Sequence, residues 1–251
     1  MVAEAPLLVL TVLLVFCRIG TCLMVLPGFG SARVPARVRL FLALAATLAL
    51  TPGLSPTLRP VILSAGEAGM LDLILVEIGI GLLIGTVGRL LLGALQMMMT
   101  VANSMIGIAT MPGMPVEDEE AVPPLVSLAA LFATLLLFVL DLHLEILKGL
   151  WASYAAVPVG GGFAGDRALD WLGLRLGEAS VAALQVTSPF LVYGILVNLG
   201  TGLINKIMPA LPVFFIVQPL VMIGGILMMA STLAVAILLY MDVFGVWLQF
   251  G

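Results

Sequence analysis

The sequence predicts an all-α, polytopic membrane protein of about six apolar segments, and three observations carry that prediction. Of its 251 residues, 62% are hydrophobic and only 10% charged, with a mean hydropathy of +1.26, far from the roughly half apolar, quarter charged mix of soluble domains. The apolar residues fall in runs comparable with the ~20 residues a helix needs to cross a bilayer. Clusters of proline and glycine, which stop helices and build turns, separate the runs. No stretch is left over for a soluble domain, so residues 1–251 are expected to form a single integral membrane domain.

The first segment, Leu7 to Leu26, follows an acidic Glu4 where a signal peptide would be basic, and its run is too long for a signal core. It is expected to be a retained helix. Cys17 and Cys22 lie within it, five apart and on different faces, which suits packing and neither a disulfide framework nor a zinc site.

The second segment, Val38 to Leu50, is short, and Pro52, Pro56 and Pro60 are expected to end it. The third, Leu71 to Met99, carries Gly81 and Gly85 at the spacing that lets membrane helices approach closely, with Gly88 on a neighbouring face. Glycine is also simply common in membrane helices, and the two readings stay side by side.

The fourth, Leu125 to Leu150, contains Asp141, His143, Glu145 and Lys148. In a continuous helix Asp141, Glu145 and Lys148 share a side while His143 points nearly opposite, so an ion-pair cluster is expected rather than a metal or proton site. The fifth and sixth segments run from Ala179 to Ile204 and from Leu211 to Tyr240.

Charges inside such runs narrow the environment. Arg18, Glu77, Arg89 and Asp141 stand within apolar segments, where an ionisable side chain at the bilayer centre costs about 2.5–3.5 kcal/mol and so faces protein, water or a partner charge. They are taken as intramembrane or interface charges. Loop charges are too evenly divided to orient the chain by the positive-inside rule. A net charge of -4 with ten scattered basic residues gives no nucleic-acid footprint. The lone histidine has no nucleophile or second ligand nearby in sequence, so neither enzyme chemistry nor a cofactor is expected.

Specific words in the sequence add a resemblance. "FCRIGTCLMVLPGFGSARVPARVRLFLALAATLALTP", with Phe16, Arg18, Ile19, Gly20, Pro27, Phe29, Gly30, Val34, Pro35, Arg37 and Arg39, resembles the opening pattern of the FliR family, an export-gate subunit of the bacterial flagellar type III secretion apparatus. "LFATLLLFVLDLHLEILKGLWASYAAVPVG" and "VNLGTGLINKIMPALPVFFIVQPLVMIGGILMM" are similar to later family patterns in the same order. Lys206 stands where the family usually has arginine, Pro212 where it commonly has asparagine, "VANSMIG" where it tends to have Gly-Gln, and "EDEE" in a loop that is usually less charged.

The resemblance implies kinked helical hairpins in a hetero-oligomeric pore complex with FliP and FliQ, near an FlhB-like export protein, in the bacterial inner membrane at the flagellar basal body. Unfolded flagellar subunits would be its cargo. It also implies that the loop from Ile108 to Pro124 projects into the pore as a plug. Met111 and Met114 suit mouldable contact, and Pro112, Gly113 and Pro115 keep the backbone out of either helix. Glu117, Asp118, Glu119 and Glu120 must face water, and also suit the dipole of the helix that follows. A plain solvated turn with capping acids explains the same residues. An injectisome counterpart of the SctT type shares the implied fold; a small secondary transporter would call for internal repeats, of which none is evident.

Overall fold

The computed structural model describes residues 4–31, 34–106, 124–161, 165–208 and 213–248. Their regular structure is entirely helical: α1 (Glu4–Val25), α2 (Ala36–Ile106), α3 (Pro124–Val139), α4 (Leu142–Ala156), α5 (Gly165–Ile207) and α6 (Val213–Leu248). Among the described residues, four helical stretches are long and apolar enough to cross a membrane: Pro6–Val25, Ala36–Gly66, Gly69–Met105 and Asp170–Ile207. The pair α3 and α4, bent by 72°, makes a fifth if it counts as one span, and Ile216–Thr232 of α6 is a shorter apolar stretch. The protein is an all-α polytopic membrane protein.

Two expectations are corrected. Pro52, Pro56 and Pro60 do not end the second segment; they lie inside α2, whose first arm runs on to Gly66. A spacing of four puts all three on one side of the helix, where each removes only one ladder hydrogen bond and its ring lies on an exposed surface. The break comes instead at Gly66, with φ 63° and ψ -176°, a conformation open to glycine because it has no Cβ to clash. A Cβ there would meet nothing within 4 Å, so the backbone angle and not the space selects glycine.

The fourth segment is not one helix. It breaks at Asp141, which takes a left-handed conformation (φ 55°, ψ 18°) that aspartate tolerates better than most residues. The backbone N–H of Asp141 donates to the Phe138 carbonyl at 3.3 Å, and the Asp141 carbonyl accepts from the Leu144 N–H at 2.9 Å. The shared face assumed for Asp141, Glu145 and Lys148 therefore does not exist across the break. Glu145 and Lys148 do pair, at 2.6 Å on the surface of α4.

The helices gather into two compact units. The first comprises Met1–Leu91, Leu137–Gly177 and Phe244–Gly251. Its core takes Leu14, Ile19 and Cys22 from α1 and Leu26 just beyond it, Leu54, Leu58 and Ile62 from the first arm of α2, and Ile146 and Leu150 from α4, all buried. The second comprises Leu92–Leu136 and Glu178–Val243. It buries Leu95, Met99 and Ala102 of α2, Val126 and Ala133 of α3, and Phe190 of α5.

A buried charge cluster as candidate functional site

The first unit builds its most polar interior point from α1 and the second arm of α2. On that arm Glu77, Gly81 and Gly85 recur every fourth residue and so line one face. A Cβ on Gly81 would fall on the Arg18 carbonyl and the Thr21 hydroxyl; one on Gly85 would lie 2.8 Å from the Cys22 carbonyl and 3.0 Å from Val25 Cβ. These glycines face α1 directly, and the matched order of contacts makes the two stretches parallel. Of the two sequence readings, close approach is the one realised.

That approach seats Arg18, which is fully buried, on Glu77, which is 1% exposed. Arg18 Nε donates to Glu77 Oε2 at 2.6 Å and Nη2 to Oε1 at 2.8 Å, the two-pronged geometry that guanidinium and carboxylate share. Nη1 donates to Ser153 Oγ at 3.2 Å, and Nη2 also to the Val157 carbonyl at 3.0 Å. The guanidinium carbon lies 3.9 Å from the centre of the Tyr154 ring, within the range of a cation–π attraction.

The end of α4 supplies this second half of the nest, and the bend at Asp141 sets its direction. Ser153 is free to accept because its own hydroxyl donates back to the Leu150 carbonyl at 2.7 Å. Val157 is where α4 ends, so its carbonyl is spare. Three segments far apart in sequence therefore converge on one cation.

The other sequence-flagged residues are placed differently. Arg89 is exposed on α2 and makes no ion pair among the described residues. Asp141 is exposed at the helix break, with no side-chain cap bond. His143 lies with its ring 5.4 Å from that of Phe138, which in turn meets Phe29 edge-on at 5.4 Å. Cys17 and Cys22 are buried and unbridged. Met111, Pro112, Gly113, Met114 and Pro115, with Glu117, Asp118, Glu119 and Glu120, lie outside the described residues.

Ser153 and Tyr154 open a Ser-aromatic-x-x-x-Pro ending in the stretch that carries the family resemblance, but nothing in the sequence marked them or Val157 as partners of Arg18, 135 to 139 residues away. Among the described residues no three His, Cys, Asp or Glu side chains come together as a metal site. Chemically, the cluster can clamp helices together and hold a charge inside an apolar unit; it offers no nucleophile paired with a base.

Known proteins resemble this chain along most of its length. Residues 9–246 match the family described as bacterial export proteins, family 1. The chain is 29% identical over 233 residues to the flagellar biosynthetic protein FliR of Caulobacter vibrioides, covering 91% of this chain and 90% of that protein. It is 24% identical over 240 residues to the flagellar biosynthetic protein FliR of Bacillus subtilis, covering 94% and 91%. Against the protein of the same name from Escherichia coli it is 24% identical over 205 residues, covering 82% and 77%.

Proposed function

This chain belongs to the bacterial export proteins, family 1, and from that premise we propose that it is a component of the flagellar type III protein export gate. In this reading it assembles with FliP-like and FliQ-like subunits, beside an FlhB-like export protein, into an inner-membrane pore for unfolded flagellar subunits. The observation that carries the proposal is the match along nearly the whole chain, residues 9–246. That all three relatives bear a flagellar name favours the flagellar over the injectisome apparatus.

The physical features fit a subunit role. Only 22% of the most apolar stretch of α2's first arm is buried within the chain, and the same share of α5, against 50% for α1. Apolar surface on that scale is covered by lipid or by other subunits. The central loop is the candidate plug: α2 ends at Ile106 and α3 begins at Pro124, and Met111 to Pro115 lie between them with a composition that yields without unravelling either helix. The chain acts here as conduit, with energy supplied by other parts of the machine and no enzymatic step of its own.

The test is the native mass of the detergent-solubilised chain co-expressed with FliP and FliQ partners. A defined hetero-complex that contains this chain supports the gate. A stable monomer or homodimer that ignores those partners sinks it.

A further inference from the structure

The first arm of α2 presents a surface that lipid cannot solvate. Its buried stripe is Leu54, Leu58 and Ile62; at 100° per residue, Pro52, Pro56 and Pro60 centre about 160° around the helix from it. All three prolines are exposed. Each lacks an N–H, so the carbonyls of Leu48, Pro52 and Pro56 lose the donor that a helix ladder would give them. Three nearby hydroxyls are turned elsewhere: Thr51 donates to the Thr47 carbonyl, Thr57 to that of Leu54, and Ser64 to that of Val61.

Arg59 lies on the same outward side, exposed, and makes no ion pair among the described residues. The arm is nevertheless of membrane-crossing length and hydropathy. Hydrocarbon offers neither donors for three carbonyls nor a counter-charge for a guanidinium. A helix carrying hydroxyl or amide donors and a carboxylate offers both.

We propose that the proline-bearing face of α2's first arm is a docking surface for a helix of another subunit, one that supplies hydrogen-bond donors to the Leu48, Pro52 and Pro56 carbonyls and an acidic group to Arg59. This rests on the reading of the chain as one subunit of an export gate. Leu48, 52% exposed, and Leu63, 73% exposed, flank the polar stretch and bound the contact.

The experiment uses the full chain purified with its partner subunits. A photo-crosslinking side chain is placed at Leu48 or Leu63; in parallel, a bimane fluorophore is attached through Leu48→Cys or Leu63→Cys in discs of brominated phospholipid. The expected result is crosslinking to a partner subunit at both positions, with neither lipid quenching nor labelling by a membrane-impermeant thiol reagent. Quenching by the brominated chains means the face meets lipid, and impermeant labelling means it meets water; either overturns the proposal while an intact hetero-complex keeps the gate reading. A chain that purifies alone sinks both.

A second variant guards against misfolding. Pro52→Ala/Pro56→Ala/Pro60→Ala restores the missing donors within the helix, so the isolated chain should melt no lower than the parent while retaining at least tenfold less partner. Undiminished partner retention overturns the proposal.

Discussion

Glu77 grips Arg18 with both carboxylate oxygens, at 2.6 and 2.8 Å, across 59 positions of sequence and with neither side chain reaching solvent. A pair so enclosed is less a source of stability than a constraint, since removing either partner strands the other charge.

Glu77→Gln, which leaves the guanidinium without its counter-charge, is expected to destabilise the detergent-solubilised chain by about 3–5 kcal/mol. Replacing both residues, as Arg18→Met/Glu77→Met, should recover most of that loss. Thermal unfolding of Arg18→Met, Glu77→Met and the double variant measures the coupling; additive losses would show that the pair acts as two separate residues.

The exposed pair of Glu145 and Lys148 should behave in the opposite way. With side chains 49% and 71% exposed, it is worth about 0–1 kcal/mol, and Lys148→Ala should leave the melting temperature nearly unchanged. A large drop would mean that α4 is covered at that point in the folded protein.

Gly81→Ala places a methyl group on the Arg18 backbone carbonyl, which cannot swing aside as a side chain end can. A loss of about 1–3 kcal/mol is expected, the usual cost of overpacking. Gly93→Ala, where the new carbon meets nothing within 4 Å, should be neutral or stabilising by up to about 1 kcal/mol. Equal effects at the two sites would remove the close-approach argument.

In the second unit Tyr193 donates its hydroxyl to the Val221 carbonyl at 2.7 Å, and the same oxygen lies 2.6 Å from where a Cβ on Gly224 would stand. Tyr193→Phe should cost about 1 kcal/mol. Gly224→Ala should be harmful alone and milder on the Tyr193→Phe background, because the obstructing oxygen is gone. A double-mutant cycle reads the sign directly.

Deleting Thr110 to Pro115 should let cells leak ions or small solutes while the complex still assembles. Unchanged permeability in an assembled complex would remove the plug role from this loop.

The positions of the helices were legible because long apolar runs leave little choice in a bilayer. The runs expected from Val38, Leu71 and Ala179 fall within helices, and the one from Leu7 overruns α1 by a single residue. What misled was local grammar. Three prolines read as a stop when their spacing made them one face of a helix, while the true break at Gly66 was not singled out. The bend at Asp141 had no proline or glycine beside it to signal a change of direction. Arg18 and Glu77 each stood out as a charge in an apolar run, but nothing local said that they were partners. Pairing depends on how α1 and the second arm lie together, a long-range property that spacing along the chain does not carry.

The Arg18 nest also dictates an order of events during synthesis. α1 leaves the ribosome first, carrying a guanidinium whose carboxylate partner is 59 residues behind it. At roughly 5–20 residues per second that is a wait of about 3–12 s. The hydroxyl of Ser153 and the carbonyl of Val157 follow only when more than half of the chain has been made. Until that counter-ion is made, newborn α1 carries an uncompensated guanidinium in an apolar run, a cost of about 2.5–3.5 kcal/mol at a bilayer centre.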